Sequence, residues 1–318
     1  MYRQMASASL VPGAWLKRTE PVLKRGSALL DTGTVLALTI ALGASVAWGS
    51  ADFLAGVSSR RLPLLTVLLV SQAVGLALLL PAAIAAAAPN GGSFILLGAL
   101  AGLFNAAALA ALYRGLAGGK MGVVAPIAAT DAMIPVAFGL LTGERPAPVA
   151  MVGIGVALTG IVLASRPGIQ EEADVGSPRD STAKSVTLAL IAAACFGGFM
   201  IAIDGASEGG VLWAVVYSRI TTVALLAGAA LALRPSLALG GRDAAPLLAV
   251  GGLDVGASVL FAAATTTGLL SLVGVFGSFY PVFTILLAGL VLRERLDPMQ
   301  RLGAGGALVG ATLIALAP

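Results

Sequence analysis

Histidine is absent from this chain, and that excludes histidine proton relays, histidine metal sites and Ser-His-Asp catalysis. Cys195 is the single cysteine, so no intrachain disulfide can form. Charged residues are scarce as well, at 11% of 318 residues, whereas soluble domains carry about 25%. No glycine-rich phosphate loop ending in Gly-Lys-Ser or Gly-Lys-Thr occurs, so the chain does not itself harness ATP. An enzyme would need a clustered nucleophile, base or metal set, and none is offered. No catalysis, metal or cofactor is therefore expected. The formal charge of +4 is a modest excess and implies no nucleic-acid partner.

What fills the chain is apolar. Hydrophobic residues reach 58%, mean hydropathy is +0.99, and there are 41 glycines, the small residues that let membrane helices approach closely. A bilayer core about 30 Å thick asks for roughly 20 apolar residues per helix. Ten segments qualify, near 34–56, 64–86, 92–114, 121–142, 148–165, 185–204, 211–233, 245–267, 272–292 and 299–316. Turn-forming runs separate most of them, such as Arg60-Arg61-Leu62-Pro63 and Gly143-Glu144-Arg145-Pro146. The break at Thr267–Ser271 carries the weakest signal. The expected fold class is an all-α polytopic membrane protein.

The chain also repeats itself. Residues 122–146 return as 272–296, an offset of 150 at which Val123 meets Val273, Gly139 meets Gly289, and Glu144-Arg145 meets Glu294-Arg295. The match runs on through Pro148 with Pro298, Gly153 with Gly303 and Gly160 with Gly310. Residues 1–33 read as a basic N-terminal tail and 166–184 as a charged, solvated linker. Between them lie two copies of five helices, 34–165 and 185–318. An odd number of crossings turns the second copy upside down, the inverted-repeat plan of many secondary transporters.

This layout resembles the EamA-type members of the drug/metabolite transporter superfamily. The likeness rests on Trp48-Gly49-Ser50, its counterpart Phe196-Gly197-Gly198, Tyr280-Pro281-Val282, and the turns Gly143-Glu144-Arg145 and Arg293-Glu294-Arg295. It covers about 34–316. The resemblance implies a carrier with a cavity between its halves and both termini cytoplasmic. In one respect the chain departs from the family pattern: where the second copy has Pro281, the first has Asp131. Loop charges point the other way on orientation. Twelve Lys and Arg residues fall on the side where the first helix ends and six, five of them in the tail, on the other. By the positive-inside rule alone both termini would lie outside.

Asp131 is the sharpest candidate. It lies about 14 Å deep at about 1.5 Å per residue. An ionisable group at that depth is costly and should face a cavity or a partner. Pro135, four residues on, has no N–H to give the Asp131 carbonyl. A carboxyl and a freed carbonyl together would suit a cation, a proton or an amine; the alternative is a carboxyl held by a neighbouring helix with no transport role. Asn105 comes to a similar depth on the preceding helix, to hold Asp131, to share a substrate with it, or to join helices. Arg219 and Asp254 lie within reach across adjacent antiparallel helices. They are read either as a buried ion pair or with Arg219 receiving a substrate carboxylate. Asp52 and Asp204 fall near helix ends, where solvation is expected. Trp48, Phe196, Tyr217 and Tyr280 are candidate cavity walls. Kinks are expected at Pro126, Pro135 and Pro281.

The leading expectation is a multi-pass plasma (inner) membrane carrier that exports small organic metabolites such as amino acids or amines. Alternating access between the repeats would move the solute, with proton coupling through Asp131. A membrane scaffold or a membrane-embedded enzyme is the alternative, and association into a homodimer stays open.

Overall fold

Backbone groups in lipid have no water to bond, so leucine- and alanine-rich runs satisfy them within helices. The computed structural model describes residues 32–86, 92–118, 121–166, 182–236, 239–293 and 297–317. Most of the basic tail, most of the linker, residues 87–91 and the Glu294–Arg295 pair lie outside them. Among the described residues every regular element is helical.

The first apolar segments are α1 (Thr32–Ser59), α2 (Leu64–Ala85) and α3 (Gly92–Gly118). The fourth is divided into α4 (Met121–Ala128), a 3-10 turn (Ala129–Ala132) and α5 (Met133–Leu141), and α6 (Pro148–Ala164) closes the first half. The second half holds α7 (Thr182–Ser207), α8 (Val211–Leu233) and α9 (Ala244–Thr265). Its fourth apolar segment is divided as well, into α10 (Leu270–Gly277) and α11 (Tyr280–Val291), and α12 (Pro298–Ala315) follows. Eight of the ten apolar segments are long and apolar enough to cross a membrane. The others are α6, a shorter apolar helix, and α12, whose first turn carries Gln300 and Arg301.

The prolines act differently from simple kinks. Pro281 stands in the first turn of α11, where a missing N–H breaks no helical bond, so the interruption falls just before it. Pro135 is the third residue of α5 and cannot bond the Asp131 carbonyl, consistent with the tighter 3-10 turn immediately upstream. Pro126 sits within α4, two residues from its end. Pro81, inside α2, is a further internal proline that the expected kinks did not include.

Helix pairing respects the offset of 150. The pairs α3 with α7 and α1 with α9 correspond, as do α3 with α8 and α2 with α9. The fifth helices of the two copies, α6 and α12, pack on each other through bare backbone. A methyl added at Gly153 would lie 2.8 Å from the Gly310 carbonyl oxygen, and one at Gly160 2.7 Å from that of Gly303. Early residues of α6 thus meet late residues of α12, and the pair runs antiparallel. At one end of it Asp297 and Gln300 form a capping box, and the Gln300 amide donates to the Arg166 carbonyl at 2.6 Å.

The weak break between the eighth and ninth apolar segments is real, and its partner comes from far away in sequence. Glu144, in the turn after α5, accepts hydrogen bonds from the backbone N–H of Leu270 at 2.7 Å and of Ser271 at 2.9 Å. A carboxylate satisfying the first donors of α10 is the favoured arrangement at a helix N-terminus. Glu144 therefore joins the two halves as well as closing its own turn. Gly143, at φ 105°, supplies the conformation that aims it there. Leucines such as Leu96, Leu141, Leu231 and Leu290 are exposed around the bundle, as lipid-facing side chains are.

Candidate functional site

The two interrupted helices meet at the centre. Asp131 sits in the 3-10 turn at 1% exposure, its Oδ1 accepting from the Ala132 N–H at 2.7 Å. Its Oδ2 accepts from the Tyr280 hydroxyl at 3.3 Å, and the Ser278 hydroxyl lies beside the same carboxyl. Tyr280 opens α11, so the residue holding Asp131 is the neighbour of its counterpart in the second copy. The freed Asp131 carbonyl is covered by Gly197 of α7, where a methyl would come within 2.8 Å of it. The interruption in the second half is satisfied by α1: Ser45 Oγ bonds the Phe276 carbonyl at 2.5 Å and that of Gly277 at 2.6 Å. Close approach follows at Gly49, whose carbonyl accepts from Thr284 at 3.1 Å.

Against these breaks lies a cavity of about 300 Å³, at the lower end of the size of small-molecule sites. Trp48, Phe196, Phe199 and Met200 give it apolar walls, and Asp52, Gln72, Asn105, Asp131, Arg219, Asp254 and Tyr280 give it polar ones. The Trp48 ring packs on Phe199 and Phe261, with centroids 6.3 and 5.6 Å apart. The cavity reaches the surface near the end of α1, where Asp52 and Gly56 are exposed. All eight residues of α10 are buried, and none of them lines the cavity.

Arg219 and Asp254 do pair, with Nη1 2.6 Å from Oδ2. They belong to a larger network. Gln72 of α2 donates to the same Asp254 oxygen at 2.6 Å, while its amide oxygen accepts from Arg219. The second guanidinium nitrogen donates to Ser258 Oγ at 2.5 Å and to the Asp254 carbonyl at 3.2 Å. Arg219 is thereby held by three side chains and one carbonyl.

Trp48, Asn105, Asp131, Arg219, Asp254 and Tyr280, all singled out from sequence, thus line one cavity. The hydrogen bond from Asn105 to Asp131 is not made. Among the described residues the Asn105 amide makes no hydrogen bond, although it faces the same space. Tyr217 is not a wall; it packs on Trp213, centroids 5.6 Å apart, and against Gly98. Asp204 is not solvated but fully buried, because α7 runs three residues beyond it before ending. Asp52 is exposed, but into the cavity mouth. Gln72 and Ser258 had not been singled out, since one neutral polar residue on an apolar helix looks no different from helix-to-helix glue.

An all-helical membrane protein with a polar cavity between two similar halves is built as a carrier. The chain belongs to the EamA-like transporter family, whose sequence pattern matches residues 35–166 and again 183–316. It is a multi-pass membrane transporter of that kind. Among solved structures, one described as "Crystal structure of protein" superposes with a TM-score of 0.70 at 19% identity. It covers 88% of this chain and 96% of its own, and supports the fold alone. No curated protein matches.

Proposed function

We propose that this chain is a secondary active exporter of small organic metabolites, of the size of amino acids or amines, in the plasma (inner) membrane. All ten apolar segments cross the bilayer, and the two halves are inverted five-helix repeats. The antiparallel α6–α12 pair supports the inversion. Exchanging the two copies turns the contact of Gly153 with Gly310 into that of Gly303 with Gly160, which also occurs. The observation that carries the reading is the central cavity, walled by both copies and joined by Asp131 and Tyr280 at their interrupted helices. Discontinuous helices at a repeat interface are where secondary transporters bind their substrates.

The packing is unequal on the two sides, which supports alternating access. At one pair of half-helices α5 packs on α10, with Pro135 seated against Gly274. The counterparts at an offset of 150, α4 and α11, make no comparable contact among the described residues. Transport would exchange these two conditions, bringing Val124 towards Ile285 as Pro135 leaves Gly274. Asp131 would carry the coupling proton.

Counterflow in liposomes containing the pure protein tests the reading. A carrier exchanges labelled for unlabelled solute without energy input. A scaffold or a membrane-embedded enzyme gives no counterflow with any cavity-binding metabolite.

A further inference from the structure

The charges lining the cavity do not balance. Asp52, Asp131 and Asp254 contribute three carboxyl groups, and Arg219 is the single basic residue among the described lining residues. That arginine is also occupied. Both terminal nitrogens are bonded within the protein, Nε is unbonded but buried, and the side chain is 3% exposed, so no exposed guanidinium edge meets an incoming carboxylate. A substrate carboxylate could reach it only by displacing Asp254, and would then face that displaced carboxylate in a poorly solvated site.

Asp52 is in the opposite condition. It is exposed at the cavity mouth, and no hydrogen bond or ion pair to it occurs among the described residues. It lies close enough to Asp254 for their charges to interact. On α1 it stands four residues after Trp48, so the carboxyl and the indole share one helix face one turn apart. An ammonium group is attracted both by a carboxylate and by an indole face. Deeper in, the unbonded Asn105 amide offers an acceptor near Asp131.

We propose, on the carrier reading above, that the cavity selects organic cations, amines that lack a carboxylate, and that Asp52 is a second cation contact above Asp131. The aromatic wall takes the apolar body of such a solute, and the unbalanced carboxyls take its charge. Amino acids are disfavoured because the one cation that would meet their carboxylate is already bound.

Matched probes test this on the full chain, purified in detergent, by calorimetry and thermal shift. Tryptamine is compared with tryptophan and with indole-3-propionate, and cadaverine with lysine. The expected result is at least tenfold tighter binding of each amine than of its amino acid, with no binding of the propionate. Asp52→Asn should weaken amine binding tenfold or more without moving the unliganded melting temperature; Asp52→Glu should restore most of it. An amino acid binding as tightly as its amine, binding of the propionate, or failure of both amines to bind overturns the assignment. Unchanged amine affinity in Asp52→Asn removes Asp52 from it. Counterflow separates the two readings. Amino-acid counterflow would keep the carrier and end the cation site, whereas amines that bind without counterflow would keep the site and end the carrier.

Discussion

Tyr280 donates its hydroxyl to Asp131 Oδ2 at 3.3 Å, and at the offset of 150 between the copies the two residues stand one position apart. The interruptions of two equivalent helices are thus tied to each other through a buried carboxyl. Asp131→Asn keeps the shape and one acceptor oxygen but cannot exchange a proton. In liposomes this variant should fold and retain counterflow yet fail to accumulate solute against its gradient. Loss of both activities together would assign Asp131 to direct substrate contact, and normal accumulation would leave it structural. Tyr280→Phe removes this hydrogen bond and should cost about 1 kcal/mol of stability, read by thermal unfolding.

The network around Arg219 predicts strong coupling. Removing one partner of a buried pair leaves an uncompensated charge and costs about 3–5 kcal/mol. Arg219→Ala should therefore lower stability and expression sharply. Asp254→Ala should do the same more mildly, because its side chain is 20% exposed. The double variant should lose less than the two singles combined. Additive losses, measured by thermal unfolding in detergent, would contradict the pair.

Glu144 bonds two backbone donors at the start of α10. Glu144→Ala leaves them without this acceptor and should cost about 1–3 kcal/mol. Glu144→Gln keeps one acceptor oxygen and should lose less. An alanine variant as stable as the parent would remove Glu144 as a tie between the halves.

The repeat and its apolar runs made the helical architecture legible, because burial in lipid demands long apolar stretches and leaves charge only where it is used. Asp131 stood out for that reason, as did Arg219 and Asp254, whose depths could be compared by counting residues. Gln72 and Ser258 did not stand out, because what distinguishes them is the direction they face. Helices apolar all round carry little record of their own rotation. Glu144 lay in a turn motif that explained itself locally, and nothing in its sequence neighbourhood names Leu270, 126 residues away. Asp204 ends the apolar segment 185–204, but the helix continues to Ser207 and keeps it buried.

Glycines of α6 divide by contact. A methyl at Gly160 would meet the Gly303 carbonyl oxygen at 2.7 Å, whereas at Gly155 nothing lies within 4 Å. Gly160→Leu should separate α6 from α12 and cost about 1–3 kcal/mol or more. Gly155→Leu should be tolerated. Equal melting temperatures for the two variants would contradict the close approach of these helices.

Alternating access is tested most directly at a single deep position. With Cys195 replaced by alanine the chain has no other thiol, so Asn105→Cys places one reporter within the cavity. Sealed vesicles of each orientation are then treated with a membrane-impermeant maleimide, with and without a bound solute. The account predicts labelling of this one cysteine from both faces, with the ratio shifted by solute or by a gradient. Labelling from one face only, under every solute and gradient applied, would contradict it.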